Sequence, residues 1–174
     1  MGRIWRARDF AGGKTCRLRA KEKLSMKRTV VVLGALLAGA GAVMADQKLA
    51  VEQDNLMRAQ GKSVYVVIGK MVKGDIPYDQ KAVDGALTEL EASVPTIPKV
   101  FQTNPKENVV NATYGSSPKI WKNKADFDSK VPPVQKVIAD LKGKIKDLEG
   151  LKVAFTSIND ACNGCHETYR LKLK

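Results

Sequence analysis

From residue 46 onward the sequence predicts an all-α fold, an up-and-down antiparallel four-helix bundle. Apolar side chains recur three and four apart along four segments, the spacing that gathers them on one face of a helix. Gly and Pro separate those segments, and no pair of alternating runs reads as a hairpin.

The first helix is expected over about Gln47 to Lys73. Its stripe runs through Leu49, Gln53, Leu56 or Met57, Gln60, Val64, Val67 or Ile68, and Met71. The run Val64-Tyr65-Val66-Val67-Ile68 favours strand by propensity, but it lies inside a longer helical period and lacks a hairpin partner. It is therefore read as helical. Gly74 stops this helix, and Asp79 is suited to cap the second. That helix carries Val83, Ala86, Leu87, Leu90 and Val94 on one face, and Pro95 with Pro98 is expected to end it. A long loop then reaches about Ser116. Ser117-Pro118 opens the third helix, with Ile120, Trp121, Ala125, Phe127, Val137, Ile138 and Leu141 as its apolar residues and Pro132-Pro133 as a kink or split. The last helix begins near Gly150, with a stripe of Leu151, Phe155, Ile158, Cys162, Cys165 and Tyr169.

The net charge of +12 raises the question of nucleic-acid binding, and its distribution argues against it. Ten Lys or Arg and two acids fall within residues 1–45, so the front of the chain carries +8 and the rest only +4. The front also reads as removable. After Met26, Lys27 and Arg28 comes an uncharged run from Val30 to Ala45, rich in Gly and Ala and closing on Val43-Met44-Ala45, the layout of a secretory signal peptide. That run is short of the ~20 residues a spanning helix needs, so no membrane span is expected in the mature form. Residues 1–25 show no periodicity, and translation is expected to begin at Met26, with cleavage after Ala45 and a mature domain over residues 46–174. Cys16 then belongs to the discarded part, leaving Cys162 and Cys165.

Ala161-Cys162-Asn163-Gly164-Cys165-His166 contains C-x-x-C-H, the pattern for covalent haem attachment. Two thiols a helical turn apart suit the two vinyl groups on one porphyrin edge, and the adjacent His166 can place a ring nitrogen on the iron. His166 is the one histidine of the chain. A zinc site would need further Cys or His, which the mature chain lacks. A redox dithiol would want alternating strands and helices, also lacking, and a three-residue disulfide loop would be strained.

A second axial ligand must come from upstream, and Met57 and Met71 are the methionines after Met44. In an antiparallel pair, facing residue numbers sum to a constant; helix midpoints put this near about 221, with about residue 55 opposite His166. Met57 fits. Met71 lies about 21 Å further along the helix, at ~1.5 Å per residue. Gly61, one turn beyond Met57, leaves room for a macrocycle. The alternative for Met57 is a core methionine filling a gap. Arg58 and Arg170 are candidates for haem propionates, although Arg170 also suits a helix C-terminus on dipole grounds. Trp121 reads as core. No nucleophile with a base and no acid–base pair is found, so no enzyme is expected.

With these residues the chain resembles the class II cytochromes c, the cytochrome c-prime superfamily, over essentially all of residues 46–174. Leu56-Met57-Arg58, Gly74-Asp75-Ile76-Pro77-Tyr78-Asp79, Ser116-Ser117-Pro118-Lys119-Ile120-Trp121 and Cys162 to Arg170 are most similar to the low-spin cytochrome c-556 branch. The resemblance implies a bacterial periplasmic one-electron carrier with one haem c, His166 as proximal and Met57 as sixth ligand. Its competing implication is a five-coordinate, gas-binding protein for NO or CO in which Met57 only packs. It leaves open both the redox partner proteins and a homodimer, which some members form.

Overall fold

The computed structural model describes residues 44–174. The signal-peptide reading, the start at Met26 and Cys16 fall on residues 1–43, outside the described residues, and the cleavage point after Ala45 lies at their edge.

The first helical column runs without interruption from residue 44 to residue 73. It consists of α1 (residues 44–61), a π-helical segment Lys62–Ile68, and α2 Gly69–Lys73. The strand-favouring run is helical, as expected, but with a wider turn: the Gly69 N–H reaches back five residues to the Val64 carbonyl. Crowding among consecutive branched side chains is relieved by that widening. Gly74, left-handed at φ 81°, ends the column; its N–H reaches the Met71 carbonyl and that of Asp75 the Lys70 carbonyl. Helix α3 spans Gln80–Ser93, with the Asp79 carboxylate accepting from the Ala82 N–H at 3.2 Å.

As expected, α3 ends just before Pro95, but the helical path continues. A 3-10 turn Val94–Thr96 and α4 Ile97–Val100 follow α3 directly, because each proline occupies a first-turn position where no N–H is required. The following stretch is not all loop either: β1 Tyr114–Ser116 pairs antiparallel with β2 Arg170–Lys172.

The third helix is three pieces, α5 Lys119–Lys122, α6 Lys124–Ser129 and α7 Val131–Leu141. The Ser117 hydroxyl accepts from the Lys119 N–H at 3.3 Å, as a cap. The split expected at Pro132-Pro133 falls just before them, at Lys130, so that they stand in the first turn of α7; a further break falls at Asn123. Ala125 is exposed, against expectation, because the break at Asn123 resets the phase of the stripe; Val131 and Val134 are buried instead. Helix α8, Leu148–Tyr169, is capped by Asp147, which accepts from the Gly150 N–H at 2.7 Å.

The π segment packs on α3, α3 on α7, α7 on α8, and α8 on α2 and the π segment, which closes the four-helix bundle. Ile68, Met71, Val83, Leu87, Leu90, Ile138, Leu151 and Ile158 form its aliphatic core. A second cluster, Phe101, Ile120, Phe127 and Tyr169, lies at the end where α8 finishes. Among the described residues no helix is long and apolar enough to cross a membrane.

Candidate functional site

A cavity of about 460 Å³ opens between α1, α7 and α8, within the ~300–1,000 Å³ range of cofactor pockets. Cys162, Cys165 and His166 line it from α8 and Met57, Arg58 and Gly61 from the first column. Apolar groups such as Leu90, Val131, Val134 and Ile158 make most of its depth.

Tyr65 donates to Asn159 at 2.7 Å, and Gly69 packs on Phe155, so facing residue numbers sum to about 224. Carried on to His166, that register reaches about residue 58, beside Met57. Met57 and Met71 have separate environments. Met57 is half-buried, lines the cavity and packs on the aromatic cluster together with Cys165; Met71 is 2% exposed within the aliphatic core.

Burial, with the positive charge of Arg170 adding, pushes the His166 imidazole down to about 4, so the ring is neutral near pH 7. Its Nδ1 is buried with no hydrogen-bond partner among the described residues. Leaving such a group unmatched costs about 1–3 kcal/mol, which marks the ring as held for a purpose other than packing. Burial also raises both thiols, Cys165 to about 11, so neither is a ready thiolate. A Cβ built on Gly61 meets nothing within 4 Å.

Arg58 is exposed and pairs with Asp54, one turn earlier, at 2.5 Å. Arg170 opens β2 and lies over the Tyr114 ring, 4.7 Å from its centroid. Both arginines border the cavity. Trp121 belongs to the aromatic cluster, as expected of core, and its Nε1–H donates to the Phe101 carbonyl at 3.0 Å.

Two residues of the site escaped functional notice in the sequence. Gln53 is 1% exposed on the cavity wall, donates to the carbonyls of Val100 at 3.3 Å and Thr103 at 3.1 Å, and accepts from the Ser116 hydroxyl at 3.2 Å. Its signal was a polar residue inside an apolar stripe. The Tyr169 hydroxyl donates to Asp126 at 2.5 Å, tying the end of α8 to α6; nothing local to either residue pointed to that pair.

A family profile described as Cytochrome C' matches residues 26–170. The chain belongs to the cytochrome c' family. It is 68% identical over 149 residues to cytochrome c-555 of Bradyrhizobium diazoefficiens, covering 86% of this chain and 100% of that one. It is 43% identical over 148 residues to cytochrome c-556 of Rhodopseudomonas palustris, with 84% and 99% covered. An NMR-validated structural model of oxidised R. palustris cytochrome c556 superposes with a TM-score of 0.62 at 38% identity, covering 74% of this chain and 99% of that one. As a member of that family the protein is a c-type cytochrome, an electron-transport protein with covalently bound haem c. The residues present fit that group: two thiols one turn apart, a neutral imidazole with a buried nitrogen that has no partner among the described residues, and an apolar cavity beside them.

Proposed function

We propose that the cytochrome is a periplasmic one-electron carrier whose iron is held by His166 on one face and Met57 on the other. The observation that carries this reading is that Met57 and His166 line one cavity while Met71 is enclosed in the aliphatic core. Cys162 and Cys165 would hold the haem through two thioethers. Bound haem supplies one iron that cycles between its ferric and ferrous forms. His166 and Met57 together would leave no coordination position for a substrate, favour low-spin iron and raise its potential. Apolar walls exclude water around it, and Arg58 and Arg170 at the cavity border suit the two propionates. With both faces ligated the protein carries electrons and has no catalytic step of its own.

Export by the segment between Met26 and Ala45 completes the reading; the start of the family match at residue 26 supports translation from Met26. The test is the optical spectrum of the reduced holoprotein with and without carbon monoxide. A sharp low-spin alpha band that the gas leaves unchanged is expected. A broad high-spin spectrum that shifts on adding carbon monoxide would replace the carrier by a gas-binding protein with an open distal face.

A further inference from the structure

The excess positive charge of residues 46–174 is gathered at one end of the bundle. Residues 113–130 and 163–174 hold seven Lys or Arg against three acids, whereas residues 46–112 and 131–162 hold thirteen of each sign. The two basic stretches are distant in sequence and joined in space: β1 pairs with β2, the Ser117 N–H donates to the Tyr169 carbonyl, and Tyr169 donates to Asp126. Two of the three acids are paired within the region, Asp126 with Lys130 and Asp128 with Lys124. Lys119, Lys122, Arg170 and Lys172 are exposed and join no ion pair among the described residues. Among them lies the half-exposed ring of Tyr114, 48% exposed, on the same ribbon face as Arg170 and Lys172. Apolar contacts within a charged rim are the anatomy of a transient protein interface. Arg170 and Tyr114 also line the cavity, so this face borders the site itself.

We propose that this face, built from β1, β2 and α5, docks the acidic surface of a redox partner protein. The inference rests on the electron-carrier reading and gives that site its partner. A field confined to one end orients the encounter before contact and weakens with salt, since the Debye length is only ~8–10 Å at 0.10–0.15 M. Exchange would then take place at a face that borders the cavity, without a long-lived complex. A membrane fits less well: the apolar groups are few and only half exposed, and acids are interspersed among the cations.

The test uses oxidised holoprotein at low ionic strength with poly-L-glutamate as the acidic probe. The double variant Lys119→Glu with Lys122→Glu is compared with Lys81→Glu with Lys144→Glu, which lowers net charge equally from positions outside the basic stretches. The face variant is expected to bind about tenfold more weakly and the control less than about twofold. Equal weakening would overturn the proposal, leaving only net charge. Binding to phosphatidylglycerol vesicles with none to poly-L-glutamate would also overturn it, in favour of a membrane. Neither outcome depends on which side chain ligates the iron, so it fails separately from the Met57 assignment.

Discussion

Around Ile68, Leu87 and Leu151 the four columns meet through branched aliphatic side chains with 0% exposure, and nothing there needs a polar partner. At the other end they meet through Phe101, Phe127 and Tyr169, whose rings pack at centroid distances of 5.5 and 5.2 Å, and through hydrogen bonds from Gln53, Trp121 and Tyr169. The first end is filled by helix packing alone. The cavity lies between the two: Leu90, Val131, Val134 and Ile158 of the aliphatic core give it depth, while directional contacts hold its wall at the aromatic end without filling the space. A bundle that must hold a large planar group gives up close packing where that group sits and replaces it with aromatic stacking and hydrogen bonds.

Substitutions should separate the two ends. Leu151→Ala, in the aliphatic end, is expected to destabilise the holoprotein by about 2–5 kcal/mol in urea unfolding while leaving the haem spectrum unchanged. A spectral change of the size seen on altering a ligand would show that the two ends are not independent. Gln53→Leu should cost less, about 1–3 kcal/mol, since it strands the carbonyls of Val100 and Thr103. It should also raise hydrogen exchange in the residues from 100 to 116 that Gln53 anchors. Protection unchanged there would remove Gln53 as the anchor of that wall.

The smallest effect concerns pH. The hydrogen bond to Asp126, with burial adding, pushes the Tyr169 phenol up to about 12. The folded form therefore holds that proton more tightly than the unfolded chain, whose phenol titrates near ~10. Its contribution is whole below pH ~10 and is lost as pH rises towards about 12. Tyr169→Phe is expected to flatten the alkaline fall in stability. An identical alkaline slope in the variant would assign the loss to other groups. Asp126, held low first by Tyr169 and then by Lys130, works oppositely, contributing above the ordinary carboxylate range and losing its share as acid protonates it.

The same contrast explains what could be read from the sequence. The aliphatic end is periodic, so Val83, Ala86, Leu87, Leu90 and Val94 were legible as one face, and all are buried. The C-x-x-C-H motif is local, so Cys162, Cys165 and His166 could be named as a group, and all three line one cavity. Where packing gives way to directional contacts, legibility ended: the β1–β2 pairing joins Tyr114 to Lys172, and the Tyr169–Asp126 bond spans 43 residues. The prolines were legible in part: α3 ends at Ser93, before Pro95, and the third helix splits at Lys130, before Pro132-Pro133, but the further helical segments that each proline opens depend on packing partners that local sequence does not specify.

The two methionines concentrate this contrast, Met57 at the cavity and Met71 in the aliphatic core. The most direct test is carbon monoxide binding to the reduced holoproteins of Met57→Ala and Met71→Ala, each beside the unsubstituted protein. Met57→Ala should turn high-spin and take up the gas readily, whereas Met71→Ala should keep the low-spin, gas-indifferent spectrum and lose only stability. A Met57→Ala protein that remained low-spin and indifferent to carbon monoxide would contradict the assignment of Met57 to the iron.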